Sequence, residues 1–234
     1  MKRLPVTDPC ETPAYSIPEA AGYLCLPAAT LRSWVLGRNY DTAQGTKKFK
    51  PLIAIADDKR RVLSFSNLVE AHVLSSMRRD HGVSLHNVRK SLDYVAQNFE
   101  SARPLIDQQF ETDGVNLFVE RYGQLVNVSM AGQVAMRELI KQYLRRIDRD
   151  KNGLPIKLYP FTRPSENLQQ PQLVQIDPQV SFGRPVLTGT GIRTEIVFER
   201  FLAGEKPADL ANDYGRPEEE IDEALRYEYG LLAA

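Results

Sequence analysis

The stretch "YSIPEAAGYLCLPAATLRSWVLGR" (Tyr15–Arg38) decides how the first part of the chain is read. Ser16 stands three residues before Glu19, the spacing of a capping box, and Pro18 falls in the first turn, where a missing N–H costs nothing. A helix therefore starts near Ile17, with Ile17, Ala20, Ala21 and Leu24 on one face, and the chain turns at Leu26-Pro27. Pro27 opens a second helix, Ala28 to Leu36, burying Leu31, Trp34 and Val35 and leaving Thr30, Arg32, Ser33 and Arg38 on or beside the other side. Two short helices joined by a tight turn, the second polar and basic outside, have helix-turn-helix geometry.

Downstream lies a cation-rich loop (Lys47, Lys48, Lys50), then "PLIAIADDKRRVLSF", which reads as two short strands around Asp57-Asp58-Lys59. Lys59, Arg60 and Arg61 sit at the tip, so this hairpin is expected to be a wing. A helix capped by Ser66 (Asn67 to Arg79) follows, then a break at Gly82 and a helix capped by Ser84 with Leu85, Val88, Leu92, Val95 and Phe99 at helical spacing. The order helix, turn, helix, wing, helix, Gly-Val-Ser-Leu, helix resembles the MerR family of winged-helix DNA-binding proteins. Tyr15-Ser16-Ile17, Glu19-Ala20-Ala21, Thr30-Leu31-Arg32 with Trp34, Gly82 to Leu85 and Val88-Arg89 carry the resemblance. It implies that Thr30, Arg32 and Ser33 lie at the major groove or its phosphates and that Arg60 and Arg61 grip the flanking backbone. The long loop from Arg38 to Lys50 departs from the family pattern and leaves the placement of Lys47 and Lys48 open.

In the middle, "VNLFVERYGQLVNV" alternates apolar and polar residues around Arg121-Tyr122-Gly123, which predicts a β-hairpin over Val115–Val128. A long amphipathic helix is expected from Met130 to Ile147, with Val134, Met136, Leu139, Ile140, Tyr143, Leu144 and Ile147 on its stripe. "DRDKNG" (Asp148–Gly153) matches half of an EF-hand loop, but position twelve is Tyr159 and Pro155 interrupts it. It reads as a polar turn into a strand, Ile156 to Tyr159, and Pro-rich residues 164–172 read as a linker.

The C-terminal part from Val174 to Glu228 resembles a small domain of unassigned activity found in VapB-type antitoxins and usually encoded beside a PIN-like toxin. Ile176-Asp177-Pro178, Gly183-Arg184-Pro185-Val186, Gly189-Thr190 with Ile192, Leu202-Ala203-Gly204, Glu219, Ile221 and Ala224-Leu225 carry it. The resemblance implies toxin contacts through Arg184, Thr188, Thr190, Arg193, Glu219, Glu220 and Glu223. Gly191 stands where that family usually has Arg after Gly-Thr, with Arg193 two residues later. From the residues themselves, a helix with Ile196, Val197, Phe201 and Leu202 inward precedes a second helix-turn-helix outline, "PADLANDYGRPEEEIDEALRYE" (Pro207–Glu228). Its acids at the start of the last helix suit the helix dipole as well as they suit a partner.

Formal charge is zero, but residues 1–90 hold 14 Lys+Arg against 8 Asp+Glu, and residues 165–234 hold 6 against 13. A module so acidic would be repelled by every phosphate it approached, so DNA belongs to the basic end. Cys10 and Cys25 are too few for a disulfide framework or zinc site, and His72, His81 and His86 show no ligand spacing with them. No cofactor, metal or catalytic residue is expected, and no apolar run marks a signal peptide or membrane span, so a cytoplasmic protein is the default.

The expected fold is α+β and mainly helical. It comprises a winged helix-turn-helix domain (1–100), a hairpin-and-helix middle region (101–163), a linker (164–172) and a tri-helical partner-binding domain (173–234). The expected function is that of a DNA-binding antitoxin and autorepressor of a type II toxin–antitoxin operon, a homodimer with operator DNA and a PIN-like toxin as partners. The alternatives are a MerR-type regulator whose C-terminal part senses a ligand or oligomerises, and an enzyme, for which no nucleophile–base pair or phosphate-cradling loop stands out.

Overall fold

The computed structural model describes residues 8–42, 45–78, 84–163 and 169–233. The capping box forms: the Glu19 N–H donates to Ser16 Oγ at 3.3 Å, and the Ser16 N–H donates to Glu19 Oε2 at 3.0 Å. It launches α1 (Ile17–Tyr23) directly after the short strand β1 (Tyr15–Ser16). Leu31, Trp34 and Val35 of α2 (Ala28–Leu36) are buried as their spacing requires. Gly37 ends α2 at φ +73°, where a Cβ would lie 2.2 Å from the Phe49 carbonyl oxygen, so only glycine admits the strand that returns beside it.

That strand corrects the sequence reading of 38–50 as a loop. Arg38–Thr42 (β2) and Gly45–Phe49 (β3) form an antiparallel hairpin in the register Arg38↔Phe49, Asn39↔Lys48, Tyr40↔Lys47. The two strands expected around Asp57-Asp58-Lys59 reduce to a tight turn. Residues 51–56 form no strand; instead Leu52 and Ile53 donate their N–H groups to the Trp34 carbonyl at 2.7 and 3.2 Å. Asp57 bridges to Val62, and Val62–Leu63 (β4) pairs with β1. The next helix, α3, spans Phe65–Arg78, and the hydroxyl that accepts from its first turn is Ser64, at 3.3 Å from the Asn67 nitrogen, not Ser66. Gly82 and Val83 lie outside the described residues; α4 covers Leu85–Phe99 as its periodicity requires.

The middle hairpin is overturned. After one π-helical turn (Phe110–Gly114), Val115–Val126 is a helix, α5, burying Val115, Phe118, Val119, Tyr122 and Gly123. Those positions repeat at i, i+3, i+4 and i+7, and the alternation seen in Val115, Leu117 and Val119 is an accident within that stripe. Asn127 closes α5 in a left-handed conformation, and Ser129 caps α6 (Met130–Leu144). Ile147 has left that helix for a strand, β5 (Ile147–Arg149), and Val134 is exposed. The polar turn forms, with Asp150 Oδ1 accepting from the N–H groups of Asn152 and Leu154, and leads into β6 (Pro155–Leu158).

The C-terminal part brings β7 (Val174–Gln175) antiparallel to β8 (Val186–Leu187), then three helices: α7 (Thr194–Leu202), α8 (Pro207–Tyr214) and α9 (Glu218–Ala233). Leu187, Val197, Phe198, Leu210, Ile221 and Leu225 form their shared core. Leu202, expected inward, is 64% exposed, while Phe198, one turn earlier, takes the buried place.

The chain groups into two compact units, one of residues 1–68 with 157–234 and the other of residues 69–156. Within the first, α9 packs on α1, and the Tyr227 hydroxyl, fully buried, donates to the Tyr23 carbonyl at 3.0 Å. Of the expected linker, 164–168 lie outside the described residues, and Gln170 receives the Thr162 N–H at 3.0 Å on its side-chain oxygen. In the second unit the core includes Phe110, Phe118, Val88, Val95 and Ile140. His72 is buried there with Nε2 3.1 Å from the Tyr143 carbonyl, and burial pushes its pKa down to about 3.

Candidate nucleic-acid interface

Helix α2 is held from behind by Trp34 and Val35, which leaves its outward side to Thr30, Arg32 and Ser33. Arg32 is exposed; Thr30 and Ser33 are half-buried, and the Ser33 hydroxyl donates to the Thr30 carbonyl at 2.8 Å. The Ser33 hydroxyl hydrogen is thus committed to its own helix, and Arg32 is the cation of α2 left to the solvent. Arg38 follows at the start of β2 and Lys50 just past β3, both exposed. Lys47 and Lys48, whose placement the sequence left open, belong to β3, so the hairpin between Gly37 and Lys50 is itself basic.

At the second turn the cations differ among themselves. The Asp57 carboxylate accepts from the Arg60 backbone N–H at 2.9 Å and from its Nε at 2.6 Å, and these bonds hold its pKa below the usual carboxylate range. Arg60 therefore carries its countercharge with it. Lys59 and Arg61 are exposed beside it, Arg61 at φ +58°.

The C-terminal candidates separate in the same way. Glu223, placed by sequence among surface acids, is corrected: its side chain is fully buried. It accepts from Arg163 Nη2 at 2.6 Å and Arg226 Nη1 at 2.5 Å and makes a short contact with the Thr162 hydroxyl. Burial alone would raise its pKa, but those hydrogen bonds win and lower it. Helical spacing contained the clue, since Glu223 stands one turn before the fully buried Tyr227 on the same side of α9, and an acid there needs arginine partners. Glu220 is half-buried in a bidentate pair with Arg216 at 2.7 and 2.8 Å, whereas Glu218, Glu219 and Asp222 are exposed.

Arg184 lies 3.0 Å from Glu19 Oε1 and donates to the Tyr23 hydroxyl at 3.3 Å, so it fastens the C-terminal part to α1. The Thr188 hydroxyl donates to the Gln172 carbonyl at 2.6 Å and that of Thr190 to the Leu187 carbonyl at 2.9 Å. Thr188 extends the β7–β8 pairing beyond Leu187, and Thr190 closes the turn that follows β8. Arg193 lies 3.6 Å from Glu195. Sequence reasoning missed the anchoring residues Tyr15, Tyr23 and Arg163, because each acts on a partner more than 50 residues away.

Residues 13–92 match the family described as "Putative DNA-binding HTH domain", and residues 174–227 match "Protein of unknown function (DUF433)". A curated relative from Mycobacterium tuberculosis (strain ATCC 25618 / H37Rv), "Putative antitoxin VapB45", is 30% identical over 92% of this chain and 93% of its own length. The chain belongs to the VapB45 antitoxin family. The crystal structure of Rv2018 from Mycobacterium tuberculosis superposes with a TM-score of 0.66 at 25% identity, covering 92% of this chain and 98% of the other. Membership supplies the helix-turn-helix and the antitoxin class together, in one chain. Among the described residues no helix is long and apolar enough to cross a membrane, and no group of His, Cys, Asp and Glu could hold a metal ion.

Proposed function

We propose that this chain is a DNA-binding antitoxin that represses its own operon through the basic end and neutralises a PIN-like ribonuclease through the acidic end. The observation that carries the proposal is the division of charge between two helix pairs. Arg32 stands exposed on α2 beside the basic β2–β3 hairpin, while Glu218, Glu219 and Asp222 stand exposed on α9. In this reading α2 enters the major groove as in MerR-like proteins, the β2–β3 hairpin with Arg38, Lys47, Lys48 and Lys50 is the wing, and Lys59 and Arg61 reach the flanking phosphates. A homodimer places two such units on an operator palindrome. The toxin side is supported by the family and by Glu219 and its exposed neighbours, which suit a basic groove that otherwise holds RNA.

The test uses the full chain, because Tyr227 and Arg184 bind α1 and an isolated C-terminal piece would expose them. Co-expression with the nuclease encoded beside it is expected to yield a co-purifying complex in which RNA cleavage is blocked. Undiminished cleavage with no complex would remove the toxin and leave a stand-alone regulator.

A further inference from the structure

Three consecutive residues, Ser181, Phe182 and Gly183, have left-handed φ values of +47°, +57° and +75°. Side chains as bulky as phenylalanine rarely adopt this region, and such conformations persist where the surroundings impose them. Here the imposition is visible. The Ser181 hydroxyl donates to the Gly191 carbonyl at 3.1 Å, and the Tyr15 hydroxyl donates to the Gly183 carbonyl at 3.2 Å. A Cβ on Gly183 would lie 2.1 Å from that tyrosine oxygen. The loop so held leaves Phe182 94% exposed. Burying such a ring would stabilise the fold, so displaying it forgoes that stabilisation.

Phe182 is displayed at the rim of a cavity of about 430 Å³, walled also by Tyr15, Tyr23 and Pro178, with Arg184 and Glu19 at its edge. That volume lies in the range of small-molecule sites, which combine apolar walls with a few convergent polar groups. Tyr15 and Tyr23, both largely buried, meet edge-to-face at 6.1 Å between centroids and line the cavity as a fixed aromatic wall, while Phe182 supplies the exposed ring. The Arg184 side chain is 45% exposed and is fixed through Nη1 by Glu19 and Tyr23, so its planar fork is oriented in advance. A half-exposed ion pair of this kind is worth little, and Arg184 can share its donors with a second carboxylate at small cost.

We propose that this cavity binds a small aromatic carboxylate, with the ring against Phe182, Tyr15 and Tyr23 and the carboxylate on Arg184. The site joins α1 of the helix-turn-helix to the loop before β8, so its occupant touches both parts at once. It is independent of the antitoxin reading.

The test is ligand-observed saturation-transfer NMR on the full chain with phenylacetate and indole-3-acetate, using phenylacetamide to remove the charge and cyclohexylacetate to remove the ring. Binding of the aromatic carboxylates is expected, at least about tenfold weaker for both control compounds and for the Phe182→Ala variant, a ratio equal to about 1.4 kcal/mol. Phe182→Ala changes only an exposed side chain, so its circular dichroism and melting should match the parent. Arg184→Gln should weaken phenylacetate and leave phenylacetamide unchanged. No transfer from either aromatic carboxylate, equal transfer from cyclohexylacetate, or binding unaffected by Phe182→Ala would overturn the proposal. None of these outcomes bears on DNA or toxin binding.

Discussion

Two helix pairs in this chain share an outline and differ in charge. In α1–α2 the turn is made by Cys25 at φ +51° with Pro27 behind it; in α8–α9 it is made by Gly215 at φ +62° with Pro217 behind it. Both second helices bury one side on the first unit's core. What differs is the other side: α2 shows Arg32, whereas α9 opens with Glu218, Glu219 and Glu220. The two pairs thus share a backbone shape and present opposite charge, and charge governs which polyion a surface can approach.

The comparison breaks first at Arg32. Its reversal, Arg32→Glu, is expected to lower affinity for operator DNA by a hundredfold or more, on the order of 3 kcal/mol, in a fluorescence anisotropy titration. Unchanged affinity would take α2 out of the interface. Within α9, Glu223 and Glu219 differ as buried and exposed acids. Glu223→Ala strands Thr162 and two arginines and should cost roughly 2 kcal/mol in urea unfolding, while Glu219→Ala should stay within about 0.5 kcal/mol.

Acid titration sharpens the comparison between the two units. His72 of the second unit has its folded pKa depressed to about 3, so the unfolded chain takes up a proton first as pH falls below the ordinary histidine value. Stability is lost from about pH 6.5 downward, near 2 kcal/mol by pH 5. Glu223 of the first unit also has a lowered pKa, and its contribution persists at pH 5 and fades only as pH falls through that lowered value. Probes placed in each unit should therefore report the second unit weakening first; simultaneous loss starting below pH 4 would contradict the His72 environment. The smallest expected effect concerns the turn after Asp57. Lys59→Ala with Arg61→Ala should reduce the salt slope of DNA binding by about one unit per lost phosphate contact, and Arg60→Ala, already neutralised by Asp57, by less.

Much of the helix-turn-helix was legible in the sequence because its signals are local. Ser16–Glu19 capping, Pro18, Pro27 and the Leu31–Trp34–Val35 stripe lie within a few residues of what they determine. The β2–β3 hairpin was not, since Arg38–Thr42 lacks the apolar alternation of a strand, even though Gly45 stands at its turn with φ +106°. Val115–Val126 failed for the opposite reason: an apolar stripe wide enough to include Leu117 imitates strand alternation over five residues. The intramolecular partners of two candidate toxin residues were not legible because they are remote in sequence, Glu19 for Arg184 and Arg163 for Glu223.

Whether DNA is read by the basic pair and not by the acidic one is decided by titrating the promoter upstream of the gene with three full-length proteins: the parent, Arg32→Ala, and a variant with Glu218→Gln, Glu219→Gln and Asp222→Asn. Arg32→Ala is expected to lose about tenfold or more in affinity, while the neutralised α9 variant binds as well as the parent or better. Loss of binding in the α9 variant, with Arg32→Ala unaffected, would contradict it.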